Sequence, residues 1–314
     1  MRIDEPYLTE AYASPRDFLL PDGCGYIYSE GEEERSKASD VFADKSTSDL
    51  VLVNDLGENV VQFCAGEKSA DVPLLSSRRI SEELADIGKS SWYLDITGLA
   101  HHVWMPILKV LLEKYRDVRV VYVEPEEYAK NPDSLEGQIY DLSERIQGVS
   151  PIPGFASLYD RRRGHSVFIP ILGFEGTRLS YIFEQVQPKG NNIVPIMGVP
   201  GFQPGFPFES YAGNRQVLLD TGSWSYVRYA DAGCPFSLFF TVDDIVSKRN
   251  TSSVKIAPIG TKPNALGALL YKIANPSQTE LIYDHPIRKE GRTKGVGKMF
   301  VYHVSEFASR RVDL

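Results

Sequence analysis

Short, almost uninterrupted apolar runs recur along this chain with helical patterns between them. They occupy residues 91–96, 119–123, 167–172, 193–197 and 254–259. A strand that is apolar on both faces must be covered on both faces, and helices crossing over a mostly parallel sheet provide that cover. The expected class is therefore α/β: a Rossmann-like arrangement of mostly parallel strands with helices on both faces. Pro170, Pro195 and Pro258 interrupt three of the runs. Proline removes a ladder donor, so each is expected at a strand end or on an edge strand.

Two stretches share one plan. Strand 91–96 leads through Thr97-Gly98-Leu99 into helix 101–115 and strand 119–123, closed by Glu124-Pro125. Strand 254–259 leads through Gly260-Thr261-Lys262 into helix 263–274 and strand 279–283, closed by Asp284, His285 and Pro286. The matching order and spacing read as a tandem duplication, although any two βαβ units of a parallel sheet resemble each other to this extent. Gly148 to Gly154, with Pro151 and Pro153, marks the boundary, giving halves 1–148 and 149–314. Residues 1–20 read as an irregular arm, 50–53 and 59–64 as two strands joined by a turn, and Arg161-Arg162-Arg163 as an exposed turn.

The 314 residues suffice for two domains, and 42% apolar with 24% charged residues is ordinary for a soluble globular chain. A net charge of −8 argues against an extended nucleic acid as the main partner. No apolar run reaches the ~18 residues of a membrane helix, and the acidic start Met1-Arg2-Ile3-Asp4-Glu5 is no signal peptide. Cys24, Cys64 and Cys234 stand far apart and offer neither a disulfide framework nor a zinc site. The expected setting is the cytoplasm, without membrane attachment, metal or cofactor.

The clearest chemical signal is the turn Gly260-Thr261-Lys262 ahead of Pro263 and Asn264. A helix start offers unpaired N–H groups and the positive end of the peptide dipoles, which favour an anion. Lys262 adds an ammonium and Thr261 a hydroxyl, while Pro263 suits the first helical turn. In a parallel sheet the turns at the strand carboxyl ends gather into one crevice. That grouping adds Thr97 and Gly98, Gly173 and Gly176, and Phe202 of the loop 198–202. His101 stands at the start of its helix; its side chain diverges from that of His102, so the two do not share a metal. The basic, glycine-punctuated segment around Arg292 is long enough to close over a polyanion. Glu175, Asp284 and His285 are the candidate acid/base groups should a reaction be catalysed. No Gly-x-Ser-x-Gly, His-Glu-x-x-His or Gly-x-Gly-x-x-Gly pattern is present.

The Gly260-Thr261-Lys262-Pro263 turn, with Asn264-Ala265-Leu266-Gly267-Ala268 after it, resembles the Gly-Thr-Lys turn of CRISPR-associated Rossmann-like (CARF) domains. The likeness spans about thirty residues. Related SAVED domains fuse two such halves. In place of the two glycines that often precede that threonine, this chain has Ile259 and a single Gly260. The resemblance implies a sensor of nucleotide second messengers in anti-phage defence, with Gly260, Thr261 and Lys262 touching the ligand and an effector protein as partner. Two other readings stand beside it: an enzyme acting on a nucleotide or sugar phosphate, and a non-catalytic interaction subunit with a degenerate Rossmann fold.

Overall fold

A computed structural model describes residues 8–37, 50–132, 134, 138–156 and 166–311. The arginine run 161–163 lies outside the described residues. The chain divides into two compact units, residues 1–128 with 152–154 and 293–314, and residues 129–151 with 155–292.

The first unit begins with β1 (Thr9–Tyr12), β2 (Gly25–Tyr28), β3 (Leu50–Gly57), β4 (Val60–Ala65), β5 (Lys68–Pro73) and α1 (Ser77–Ile87). It continues with β6 (Ser91–Asp95), α2 (His101–Lys114), β7 (Asp117–Val123) and the short β8 (Glu127–Tyr128). The second unit comprises β9 (Ser143–Ile146), β10 (Val167–Ile171), α3 (Gly176–Val186), β11 (Ile196–Gly198), α4 (Phe206–Asp220) and β12 (Arg228–Ala230). After these come α5 (Pro235–Arg249), β13 (Val254–Pro258), α6 (Lys262–Ala274), β14 (Thr279–Leu281) and β15 (Pro286–Arg288). The chain then returns to the first unit with β16 (Thr293–Lys294), β17 (Met299–Tyr302) and α7 (Val304–Arg311). Residues 293–311, expected with the second half, thus fold with the first.

The large sheet of the first unit runs β1-β17-β7-β6-β2-β3-β4-β5. Its centre, β7-β6-β2-β3, is parallel. The flanking pairs are antiparallel, so this sheet is mixed where a mostly parallel one was expected. On the β3–β4 edge the reason is local. Gly57, at φ 83, with Glu58 and Asn59, also at positive φ, folds β3 back on β4. Hairpin strands need only such a turn, whereas a parallel neighbour needs a crossover. Instead of remaining an irregular arm, residues 9–12 pair with β17. One face of the central strands (Tyr26, Tyr28, Tyr93, Val121, Val123) packs against Phe18 and Leu20.

The sheet of the second unit is all parallel, in the order β12-β11-β10-β13-β14. One helix follows each of its first four strands in sequence. Counted from β10, strands are added on one side (β11, β12) and then on the other (β13, β14). The order therefore reverses between β10 and β13. Phe168, Leu172, Leu179, Ile182, Ile193 and Leu218 form a core on this sheet. Pro258 ends β13 and Pro195 precedes β11, as expected of strand prolines. Pro170 instead lies inside central β10. It is accommodated because β11 begins only beyond it, with Ile171 opposite Ile196, so the missing donor shortens a neighbour without breaking the sheet.

Helix contacts here are set by glycine. Helix α3 packs on α4 and α5 on α6. A Cβ on Gly176 would lie 1.8 Å from the Gly213 carbonyl oxygen, and one on Gly267 would lie 2.3 Å from that of Pro235. Gly267→Ala is expected to destabilise the protein by about 1–3 kcal/mol through overpacking. Gly205→Ala, where a Cβ meets nothing within 4 Å, serves as the control. Urea midpoints with unchanged slope check this.

Candidate ligand site at the carboxyl edge of the parallel strands

The reversal between β10 and β13 brings two turns together backbone to backbone. A Cβ on Gly173 would stand 2.4 Å from the Ile259 carbonyl oxygen, and one on Gly260 would stand 2.8 Å from the Ile171 side chain. Both glycines are therefore required by packing. Thr261 caps α6: its Oγ1 accepts the Asn264 N–H at 3.3 Å and donates to the Ala232 carbonyl at 2.6 Å. That hydroxyl holds the turn against the end of β12. Gly260 and Thr261 are half-buried. Among the described residues their backbone N–H groups make no hydrogen bond. Lys262 is buried at 8% exposure, not a mobile surface group. Asn264 is 1% exposed, and its Oδ1 has no hydrogen-bond partner among the described residues.

Around this turn, Phe202 lies against Gly233, where a Cβ would come within 3.0 Å of the ring. Phe174 stacks on Tyr140 at 4.3 Å and meets Phe206 edge-on at 5.1 Å. Half-buried aromatic rings thus stand near the Gly260 turn on the rim of the same sheet end. Gly173, Gly176, Phe202, Gly260, Thr261, Lys262 and Asn264 all belong to the second unit. Thr97, Gly98 and His101 belong to the first.

The three acid/base candidates have structural partners. Glu175 accepts the N–H groups of Leu142 and Ser143 at 2.9 and 2.8 Å and the Ser143 hydroxyl at 2.8 Å, which fixes the start of β9. Asp284 is fully buried and takes two hydrogen bonds from Arg178, at 2.8 and 2.7 Å. Burial opposes the Arg178 charge, but Asp284 outweighs it and pushes the guanidinium pKa up. His285 sits at φ 46 with its Nε2 donating to the Ser150 carbonyl at 3.1 Å and its ring on Tyr283. Arg292 is half-buried, and its carbonyl accepts the Ala129 N–H; its charge lowers the pKa of the buried Tyr283, against the larger effect of burial. Removing one partner of a buried ion pair strands the other charge. Arg178→Met is accordingly expected to cost about 3–5 kcal/mol, read as a fall in melting temperature.

In the first unit, Thr97 donates its N–H to Asp95 at 2.8 Å and accepts the Val123 N–H on Oγ1 at 2.9 Å. A Cβ on Gly98 would meet the Ser29 carbonyl oxygen at 2.1 Å, and buried His101 packs on Trp104 at 5.5 Å. All three residues build the strand-to-helix turn. Beyond the end of β7, Glu124 is buried beside Arg35 and accepts the Tyr122 hydroxyl. Burial raises its carboxyl to about 7 from 4.5, against the lowering effects of Arg35, Tyr122 and Tyr128. Sequence alone gave no sign of this group, because Glu33 and Arg35 come from one segment and Tyr122 and Glu124 from another far along the chain. A carboxyl with a raised folded-state pKa stabilises below its unfolded value and loses that contribution as pH rises through the folded one. From pH 5 to 8 the protein is therefore expected to lose stability relative to Glu124→Gln, on the order of 3 kcal/mol in denaturant titrations at each pH.

Among the described residues, no helix is long and apolar enough to cross a membrane, and no group of three or more His, Cys, Asp or Glu side chains is placed to hold a metal. No protein-family model matches the chain, and comparison with curated proteins gives no match.

Proposed function

We propose that the protein binds a small phosphorylated ligand of the nucleotide class at the Gly260-Thr261-Lys262 turn, and that it acts as a CARF-like sensor through a protein partner. The observation that carries this reading is the position of the turn. Counted from β10, the sheet order is the 3-2-1-4-5 order of Rossmann-like folds, in which ligands bind outside the strand carboxyl ends where the order reverses. The pairing of α3 with α4 and α5 with α6 suits one helix pair on each face of that sheet. Gly173 and Gly260 meet at the reversal, and the unengaged N–H groups of Gly260 and Thr261 stand at the start of α6.

Each component has a separable role. The two N–H groups and the α6 dipole favour a phosphate oxygen. Lys262 supplies positive charge in a partly desolvated setting, where Coulomb attraction is stronger than in water. Phe202, on the loop after β11, is the aromatic ring proposed to meet a base. Signalling follows if the ligand prefers one conformation of the protein over another. Nothing in the geometry favours catalysis by Glu175, Asp284 or His285, since each is engaged in holding the fold.

A thermal-shift panel of linear and cyclic nucleotides tests the reading. Ligand at 100 times its dissociation constant adds about 2.7 kcal/mol, a rise of a few degrees. Asn264→Asp places a negative charge of nearly the same shape in the first turn of α6. It is expected to weaken the hit at least tenfold, as is Lys262→Ala, with each shift measured from that variant's own baseline. A hit that survives both substitutions undiminished places the ligand elsewhere.

A further inference from the structure

A short glycine-rich strip, Thr293 to Lys298, lies over the end of β7. Its start is β16, paired with β8, and β17 begins directly after it. Its bonds go to three glutamates. Thr293 donates its hydroxyl to Glu33 at 2.8 Å, Gly295 its N–H to Glu34 at 2.9 Å, and Gly297 its N–H to the Glu124 carbonyl at 2.8 Å. The Glu124 N–H returns to the Lys298 carbonyl at 2.9 Å. A Cβ on Gly297 would stand 2.8 Å from the Glu124 carbonyl oxygen, so the strip packs directly on this residue. Lys294, Val296 and Lys298 are exposed on its outer side.

The charges behind this strip do not balance. Glu33 and Glu124 flank one buried cation, Arg35. Its Nε and Nη2 contact Glu33, both at 2.7 Å, and its Nη1 donates to the Val123 carbonyl at 2.8 Å and the Tyr122 hydroxyl at 3.1 Å. None of these contacts is with Glu124. Its Oε2 accepts the Tyr122 hydroxyl, and its Oε1 has no hydrogen-bond partner among the described residues. The groups facing Glu124 are thus Arg35 and Glu33 from the segment before β3, Tyr122 of β7 and Tyr128 of β8. Glu34 and Glu126 lie against Gly295. A neutral Glu124 leaves one carboxylate for one guanidinium. An ionised Glu124 adds a buried charge with no cation in direct contact, which is costly where water is excluded. Burial pushes this carboxyl up to about 7, although Arg35, Tyr122 and Tyr128 favour its ionised form.

We infer that the strip is a proton-operated strap, closed over Glu124 while that carboxyl is protonated and released when it ionises. The ionised carboxylate needs water. Lifting the strip admits water by breaking a few hydrogen bonds at the surface, whereas unfolding the eight-stranded sheet breaks the whole unit. Gly295 and Val296 also wall a cavity of about 450 Å³ that Asp95 and Val123 line. Release of the strap therefore widens the way into that cavity as pH rises.

The test is amide hydrogen exchange, read by NMR on the full chain from pH 5 to 8, with each rate divided by the intrinsic rate of an unstructured amide at that pH. The Gly295 and Gly297 amides are expected to lose at least tenfold in protection across this range. The Ile96 amide, which bonds to the Val121 carbonyl within the sheet, is expected to stay at least tenfold better protected than either at every pH, marking the opening as local. Glu124→Gln, neutral throughout and of nearly the same shape, is expected to hold the protection of both glycines constant. Glu33→Gln leaves the guanidinium to a single carboxylate, so the loss is expected to be smaller and complete at lower pH. The inference is overturned if the two glycine amides keep their protection up to pH 8, or if they exchange only in step with Ile96. An undiminished loss in either variant overturns it as well, so Glu33→Gln decides the matter should Glu124→Gln fail to fold.

Discussion

The second unit depends on one close approach. At the reversal of its parallel sheet, the turn after β10 and the turn after β13 touch through backbone, with Gly173 against the Ile259 carbonyl and Gly260 against Ile171. Any side chain at either position would force the strand ends apart. The same contact fixes where α6 begins, because Thr261 must reach both the Asn264 N–H and the Ala232 carbonyl. A packing constraint and the proposed anion site therefore fall on the same residues. Glycine is needed for the fold, and the Gly260 and Thr261 amides have no hydrogen-bond partner among the described residues.

Charge in this unit is used mainly for cohesion. Asp284 and Arg178 tie the end of β14 to α3, and Glu175 ties the start of α3 to β9. Such buried pairs contribute little net stability compared with apolar replacements, yet losing one partner is costly. The first unit places its buried charges differently. Arg35 gathers Glu33, Tyr122 and Glu124 at the end of β7. A buried carboxyl such as Glu124, which burial pushes up to about 7, is a feature that packing alone does not require.

Much of the local architecture was legible in the sequence. The strand–turn–helix plans around Asp95 and Gly260 appear with boundaries shifted by a residue or two, because apolar runs and glycine turns are local signals. The β3–β4 hairpin was equally visible. Strand order was not: nothing local tells β17 to pair with β1 and β7, or sends 293–311 back to the first unit. Helix α4 was hidden by the glycines and prolines of 200–207, which read as loop although Phe206 and Pro207 only begin the helix. Glu175, Asp284 and His285 looked reactive because of their residue types. Their partners Ser143, Arg178 and Ser150 come from distant segments, which sequence spacing does not reveal. The Glu33, Arg35, Tyr122 and Glu124 cluster of the first unit was missed for the same reason, since its two halves come from distant segments.

The central claim is that the amides at the start of α6 meet a phosphate. Its most direct measurement is the amide NMR signals of Gly260 and Thr261 during titration with linear and cyclic adenosine nucleotides. The account predicts that both signals move downfield and saturate together, as N–H groups do on gaining a charged acceptor. Nucleotide binding that leaves both signals in place would contradict it.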